Sequence, residues 1–153
     1  MLNKAIEISA LAHTGQVDKG GAPYILHPLR VMLMRDNELE QICAVLHDVV
    51  EDTDITFEDL RKQGFSEKVI HVLDCLTKRD EESYDEFIGR VLNDETACQV
   101  KLADITDNMN LTRIKNPSEK DRERIRKYEK AVARILEKTP RVHTLNEKPD
   151  VLV

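Results

Sequence analysis

Apolar residues recur three and four positions apart along most of this chain, and the alternation expected of a half-buried strand is nearly absent. That pattern predicts an all-α fold. Leu2, Ala5, Ile6, Ser9, Ala12 and His13 form one face of a first helix. A loop follows, GQVDKGGAPYILHP, in which Gly15, Gly20, Gly21 and Pro23 break any regular element. A short hairpin within it is the one β feature the pattern admits. Pro28 suits the first position of a second helix, where its missing N–H costs nothing. Leu39, Ile42, Cys43, Leu46, Val49 and Val50 line a third helix, buried nearly all round near Val45 and Leu46.

Capping signals mark the later starts. Ser83 with Glu86 is a full capping box, and Thr56 with Asp59 and Ser118 with Asp121 are variants of it. Gly64 is a stop, after which Ser66 opens a helix carrying Val69, Ile70, Leu73 and Leu76. Further helices are predicted over residues 84–92, 94–109 and 119–138, the last with Ile125, Tyr128, Val132 and Ile135 inside. A length of 153 residues suits one domain, 1–153, of about eight helices, with the tail 139–153 extended or loose.

Several function classes drop out on composition. Hydrophobic residues make up 41% and charged residues 34%, the balance of a globular protein, and no apolar run is long enough for a membrane span. Glu7 and Ser9 interrupt what a secretory signal would keep apolar, so a cytoplasmic location is expected. A net charge of −6 gives no basic surface for displacing counterions from a duplex, so nucleic acid is a poor partner. A small phosphorylated ligand stays open, because one divalent cation and a few basic side chains reverse the local field. Cys43, Cys75 and Cys98 lie in helical patterns with no CxxC spacing and read as reduced core thiols. Nothing in the residues sets an oligomeric state.

The informative segment is LHDVVEDT. Helical spacing puts His47 beside Glu51 and Asp48 beside Asp52, so four ionisable groups share one turn. Three carboxylates in an apolar segment repel one another and lose hydration, which needs a cation or a hydrogen-bond network to compensate. A solvated helix end is the plain alternative, and the flanking Ala44-Val45-Leu46 and Val49-Val50 speak against it. His27, between Leu26 and Pro28, and Asp104, inside the apolar VKLADITDNM, extend the set, with Asn108 one turn beyond Asp104. Two imidazoles and two carboxylates suit manganese or iron; a structural zinc site would more often use cysteine. His13 is a candidate to brace a ligand carboxylate or else a core histidine. His71 and His143 read as surface residues.

The ordered blocks AHTGQVDKGGAPYILHPLRV, LHDVVEDT and VKLADITDNM resemble the hydrolase domain of the RelA/SpoT group, and most closely its stand-alone small alarmone hydrolases. The resemblance implies an HD-domain helical fold with one manganese ion. It assigns His27, His47, Asp48 and Asp104 as ligands and Glu51 and Asp52 as the catalytic acids. Lys19, Tyr24 and Asn108 match nucleotide contacts. Asp18 stands where the family usually has arginine and could instead accept from a base amino group, which opens guanine against adenine preference. Asn110 and Leu111 replace a common Arg-Thr pair. Lys78, Arg79 and Arg113 are further candidates for phosphate pairing. The implied reaction is manganese-dependent hydrolysis of a (p)ppGpp-type nucleotide to GDP or GTP and pyrophosphate. The alternatives are an HD phosphohydrolase for another nucleotide, such as (p)ppApp or NADPH, and a catalytically silent nucleotide-binding module.

Overall fold

The computed structural model describes residues 1–139 and is all-helical over them. Nine α-helices occur among the described residues: α1 (Leu2–Ala12), α2 (Leu26–Leu33), α3 (Glu38–Leu46), the single turn α4 (Val49–Asp52), α5 (Phe57–Lys62), α6 (Glu67–Leu76), α7 (Tyr84–Val91), α8 (Glu95–Asn108) and α9 (Glu119–Lys138). A 3₁₀ turn, Leu111–Arg113, joins α8 to α9. No described helix is long and apolar enough to cross a membrane. The tail expected to be extended lies outside the described residues apart from Thr139.

Helix α3 is the axis of the molecule. Its residues Ile42 to Leu46 are all buried, and α1, α2, α6 and α8 pack around it. Helix α8 crosses it with Val100, Ala103 and Ile105 wholly buried. The amphipathic α9 closes one side through Ala131 and Ile135. The three cysteines are buried and free, and burial pushes the Cys43 thiol up to about 12 and Cys98 to about 11.

Caps explain most of the boundaries. The side chains of Thr56, Ser83 and Ser118 each accept from the backbone N–H three residues on, and Asp59, Glu86 and Asp121 each reach back to the cap N–H. Aspartate therefore completes the box as well as glutamate does, and the Thr56 and Ser118 variants are full boxes. Asn37, Ser66 and Asp94 cap α3, α6 and α8 singly.

Two boundaries differ from expectation. Helix α2 begins at Leu26, so Pro28 is its third residue, where a proline is harmless because the first turn's N–H groups have no acceptor inside the helix. The third helix is not continuous: α3 ends at Leu46 and α4 starts at Val49, leaving His47 and Asp48 in the break. The glycine loop holds a single antiparallel bridge, Val17 to Pro23, in place of a full hairpin. Gly21 turns it with φ at +85°, a conformation open to glycine at little cost.

Candidate active site

The helix break has a local cause. His47 Nδ1 donates to the Ala44 carbonyl at 2.6 Å, and the His47 backbone N–H reaches the same oxygen only at 3.5 Å. A carbonyl can only accept, so Nδ1 carries the proton and a neutral His47 presents a bare lone pair at Nε2. That nitrogen is buried, 3.0 Å from Asp48 Oδ2 and 3.4 Å from Asp104 Oδ1, yet its geometry makes a hydrogen bond with neither.

His27 repeats the arrangement from α2. Its Nδ1 donates to Asp107 Oδ2 at 2.7 Å, which turns Nε2 toward Asp104 Oδ1 at 3.1 Å and Asp48 Oδ2 at 3.6 Å. Outer partners hold the two carboxylates: the Tyr24 hydroxyl donates to Asp48 Oδ2, Lys101 Nζ to Asp104 Oδ2 and Asn108 Nδ2 to Asp104 Oδ1. Two imidazole lone pairs and two carboxylates thus face one another around one point. Such a cluster calls for positive charge in its midst. The histidines show the demand: burial disfavours their charged form, but the aspartates beside them outweigh it and push both upward, His47 strongly. The donor set and the orphaned His47 nitrogen fit a divalent cation, and His27, His47 and Asp104 offer atoms within 4.8 Å of one another.

Glu51 and Asp52 stand at the mouth of this cluster. Helix α4 keeps the turn intact, with Asp52 N–H donating to the Asp48 carbonyl at 2.9 Å. Asp48, Glu51 and Asp52 each place an oxygen within 4.8 Å of the others. Partial burial, then the charges of Asp48 and Glu51, push Asp52 up to about 6. Glu51 is raised mainly by burial, while its Oε1 accepts from the Lys78 backbone N–H at 2.8 Å.

A cavity of about 420 Å³ opens beside the cluster, and it contains the predicted contacts Lys19, Tyr24 and Asn108 together with Arg113, Arg124 and Tyr128. Lys19 lies 3.7 Å from Asp121, which also holds Arg124 at 3.1 Å. Asp18 lines the cavity but spends Oδ1 on the backbone N–H groups of Gly20 and Ala22, at 2.8 and 3.0 Å. Its main work is therefore bracing the loop, which leaves one oxygen for a base. His13 approaches through Tyr24, with ring centroids 5.0 Å apart, but bonds Gln16 and none of the clustered carboxylates. Lys78 Nζ donates to the Arg79 carbonyl, and Arg79 pairs with Asp74 at 3.5 Å; of the three cations considered for phosphate, Arg113 alone lines this cavity. His71 is exposed, as expected, and His143 lies outside the described residues.

Sequence reasoning missed Asp107 and Lys101. Both flank Asp104 on α8, three residues either side, and Asp107 is as buried as Asp104. A second aspartate on the same apolar helix was the available signal. Burial opposes its ionisation, but bonds from His27 and Arg30 hold Asp107 down at about 2.

No protein-family model matches the chain. It is 32% identical over 136 residues to a guanosine-3′,5′-bis(diphosphate) 3′-pyrophosphohydrolase of Vibrio cholerae, covering 79% of this chain and 19% of that protein. A protein of the same name from Aquifex aeolicus is 35% identical over 121 residues, covering 71% and 17%. The chain thus spans less than a fifth of the length of these curated relatives. Among solved structures, a metazoan ortholog of SpoT described as hydrolysing ppGpp superposes with a TM-score of 0.73 at 25% identity, over 88% of this chain and 84% of that one. By sequence and by fold, the chain is similar to proteins named as guanosine-3′,5′-bis(diphosphate) 3′-pyrophosphohydrolases and to the metazoan SpoT ortholog.

Proposed function

We propose that this chain is a metal-dependent 3′-pyrophosphohydrolase that converts guanosine 3′-diphosphate 5′-di- or triphosphate and water to GDP or GTP and pyrophosphate. One observation carries the reading: the Nε2 nitrogens of His27 and His47 point at the carboxylates of Asp48 and Asp104, a converging nitrogen and oxygen set suited to holding a divalent cation. The names of the relatives and of the metazoan structure support the substrate. Manganese fits the mixed nitrogen and oxygen set, and when held by these four residues it would supply Lewis acidity to the 3′ phosphate and the attacking water.

The remaining steps belong to the protein. Asp52, with its raised proton affinity, is suited to take a proton from water near neutral pH, and Glu51 to orient that water in line with the phosphorus attached to the ribose 3′ oxygen. The bond between that phosphorus and the ribose oxygen breaks, the oxygen receives a proton from the acid pair, and pyrophosphate leaves. Tyr24 walls the nucleotide cavity while its hydroxyl steadies Asp48. Asn108 commits its amide N–H to Asp104, leaving its carbonyl oxygen free to accept from the nucleotide. Lys19 is exposed enough to turn from Asp121 to a phosphate.

A cytoplasmic setting completes the proposal, and three buried free thiols suit a reducing compartment. The test is incubation of manganese-loaded protein with guanine and adenine nucleotides bearing 3′-diphosphates, reading released pyrophosphate. Faster release from the adenine nucleotides would move the substrate assignment. Nucleotide bound intact for hours with manganese present would show a silent binding module and end the hydrolase reading.

A further inference from the structure

Three cationic or proton-donating side chains, two from α2 and one from the 3₁₀ turn after α8, converge on the buried Asp107. Asp107 accepts from His27 Nδ1 at 2.7 Å and from Arg30 at 2.7 Å and 3.0 Å. Arg113 donates to the Asp107 backbone carbonyl at 2.7 Å and approaches Oδ2 at 3.3 Å. These partners serve different ends. His27 faces the cation cluster, whereas Arg113 lines the nucleotide cavity.

Resting on the function proposed above, we infer that Asp107 is a positioning residue that anchors both halves of the site, fixing the metal-facing nitrogen of His27 and the cavity-facing guanidinium of Arg113 to a single point. A carboxylate accepting from Nδ1–H selects the ring's tautomer and orientation and strengthens Nε2 as a donor to a metal. The influence extends to the glycine loop. A Cβ placed on Gly20 would stand 2.3 Å from the Arg113 carbonyl oxygen, so the loop bearing Lys19 is seated directly on the Arg113 backbone.

Asparagine at this position keeps the volume but sets an N–H₂ where a donor already points. Either His27 or Arg30 then faces a donor, and a buried pairing is lost. Asp107→Asn is expected to weaken manganese binding by roughly ten- to a hundredfold, the range for residues that support a ligating histidine, in titrations of the protein with manganese chloride followed by electron paramagnetic resonance. KM for the 3′-diphosphate nucleotide should rise as well, while kcat recovers to within a few-fold at saturating manganese. A purely structural ion-pair node would lower the melting temperature without that metal-dependent rescue.

A variant that binds manganese as tightly as wild type overturns the inference. Should it fail to fold, long-range ¹⁵N NMR of the wild-type protein loaded with zinc decides: a His27 ring protonated at Nδ1 and metal-bound at Nε2 supports the anchor, and the reverse refutes it. Wild-type protein that takes up no manganese would instead overturn the functional reading on which the inference depends.

Discussion

Gly20→Ala is the sharpest test of how the nucleotide cavity is built. The added Cβ would sit 2.3 Å from the Arg113 carbonyl oxygen, and real Cβ contacts essentially never fall below 3.0 Å. The Arg113 partner is a main-chain oxygen and a Cβ has no rotamers, so no side-chain rotation relieves the contact, and the surfaces must part by at least about 0.7 Å. The Asp18 side chain ties Gly20 and Ala22 together, so the loop should move as a unit and take Lys19 with it. A misplacement approaching 1 Å costs up to about a hundredfold in catalysis when it disturbs a positioned group. The loop holds substrate contacts but no proposed metal ligand, so the loss should fall on KM, roughly ten- to a hundredfold, with kcat changed little. Overpacking a well-fitted contact costs about 1–3 kcal/mol, and an exposed loop that can yield belongs at the low end. The assay is steady-state pyrophosphate release over a range of nucleotide concentrations, alongside thermal unfolding. An unchanged KM in a folded Gly20→Ala protein would refute the claim that this contact sets the cavity's geometry.

Three further outcomes are expected. Asp48→Ala should abolish manganese uptake and hydrolysis together, and metal retained at wild-type stoichiometry in elemental analysis would remove Asp48 from the ligand set. Asp52→Asn should keep the metal while turnover falls by roughly a hundredfold or more, the usual weight of a general base; full activity would take Asp52 out of the mechanism. Away from the site, the hydrogen bond from Arg90 holds the Glu82 carboxyl at about 2, below its ordinary 4.5. Its pairing therefore stabilises the fold fully above about pH 4.5 and is lost as the pH falls toward 2, so the stability gap between wild type and Glu82→Gln in urea melts should narrow over that window. A gap that stays constant down to pH 2 would contradict the assignment.

Much of the fold was legible because helical spacing and side-chain caps act locally. Ser83, Thr56 and Ser118 each carry their own cap and box partner within three residues, so those starts could be read directly. The break at His47 could not, because it depends on an imidazole taking the Ala44 carbonyl, a choice visible only in three dimensions. The candidate site was legible for a different reason. His47, Asp48 and Asp104 are ionisable groups in apolar stretches of sequence, where a lone charge is costly, so their presence asked for a compensating partner. What the residues alone left hidden was the outer ring. Nothing in a linear reading says that Asp107 meets the His27 imidazole while His13 bonds Gln16 and none of the clustered carboxylates, or that Asp18 spends an oxygen on its own loop. Those roles follow from which side chains the packing of α2 against α8 brings within reach.

The two histidines are oriented by unlike means, and this makes the centre unequally open to change. The orienting acceptor for His47 is a peptide oxygen, present whichever amino acid occupies position 44. The one for His27 is a replaceable side chain. Of the two imidazoles, His27 can therefore be re-aimed by exchanging its orienting partner, whereas the orientation of His47 is written into the main chain.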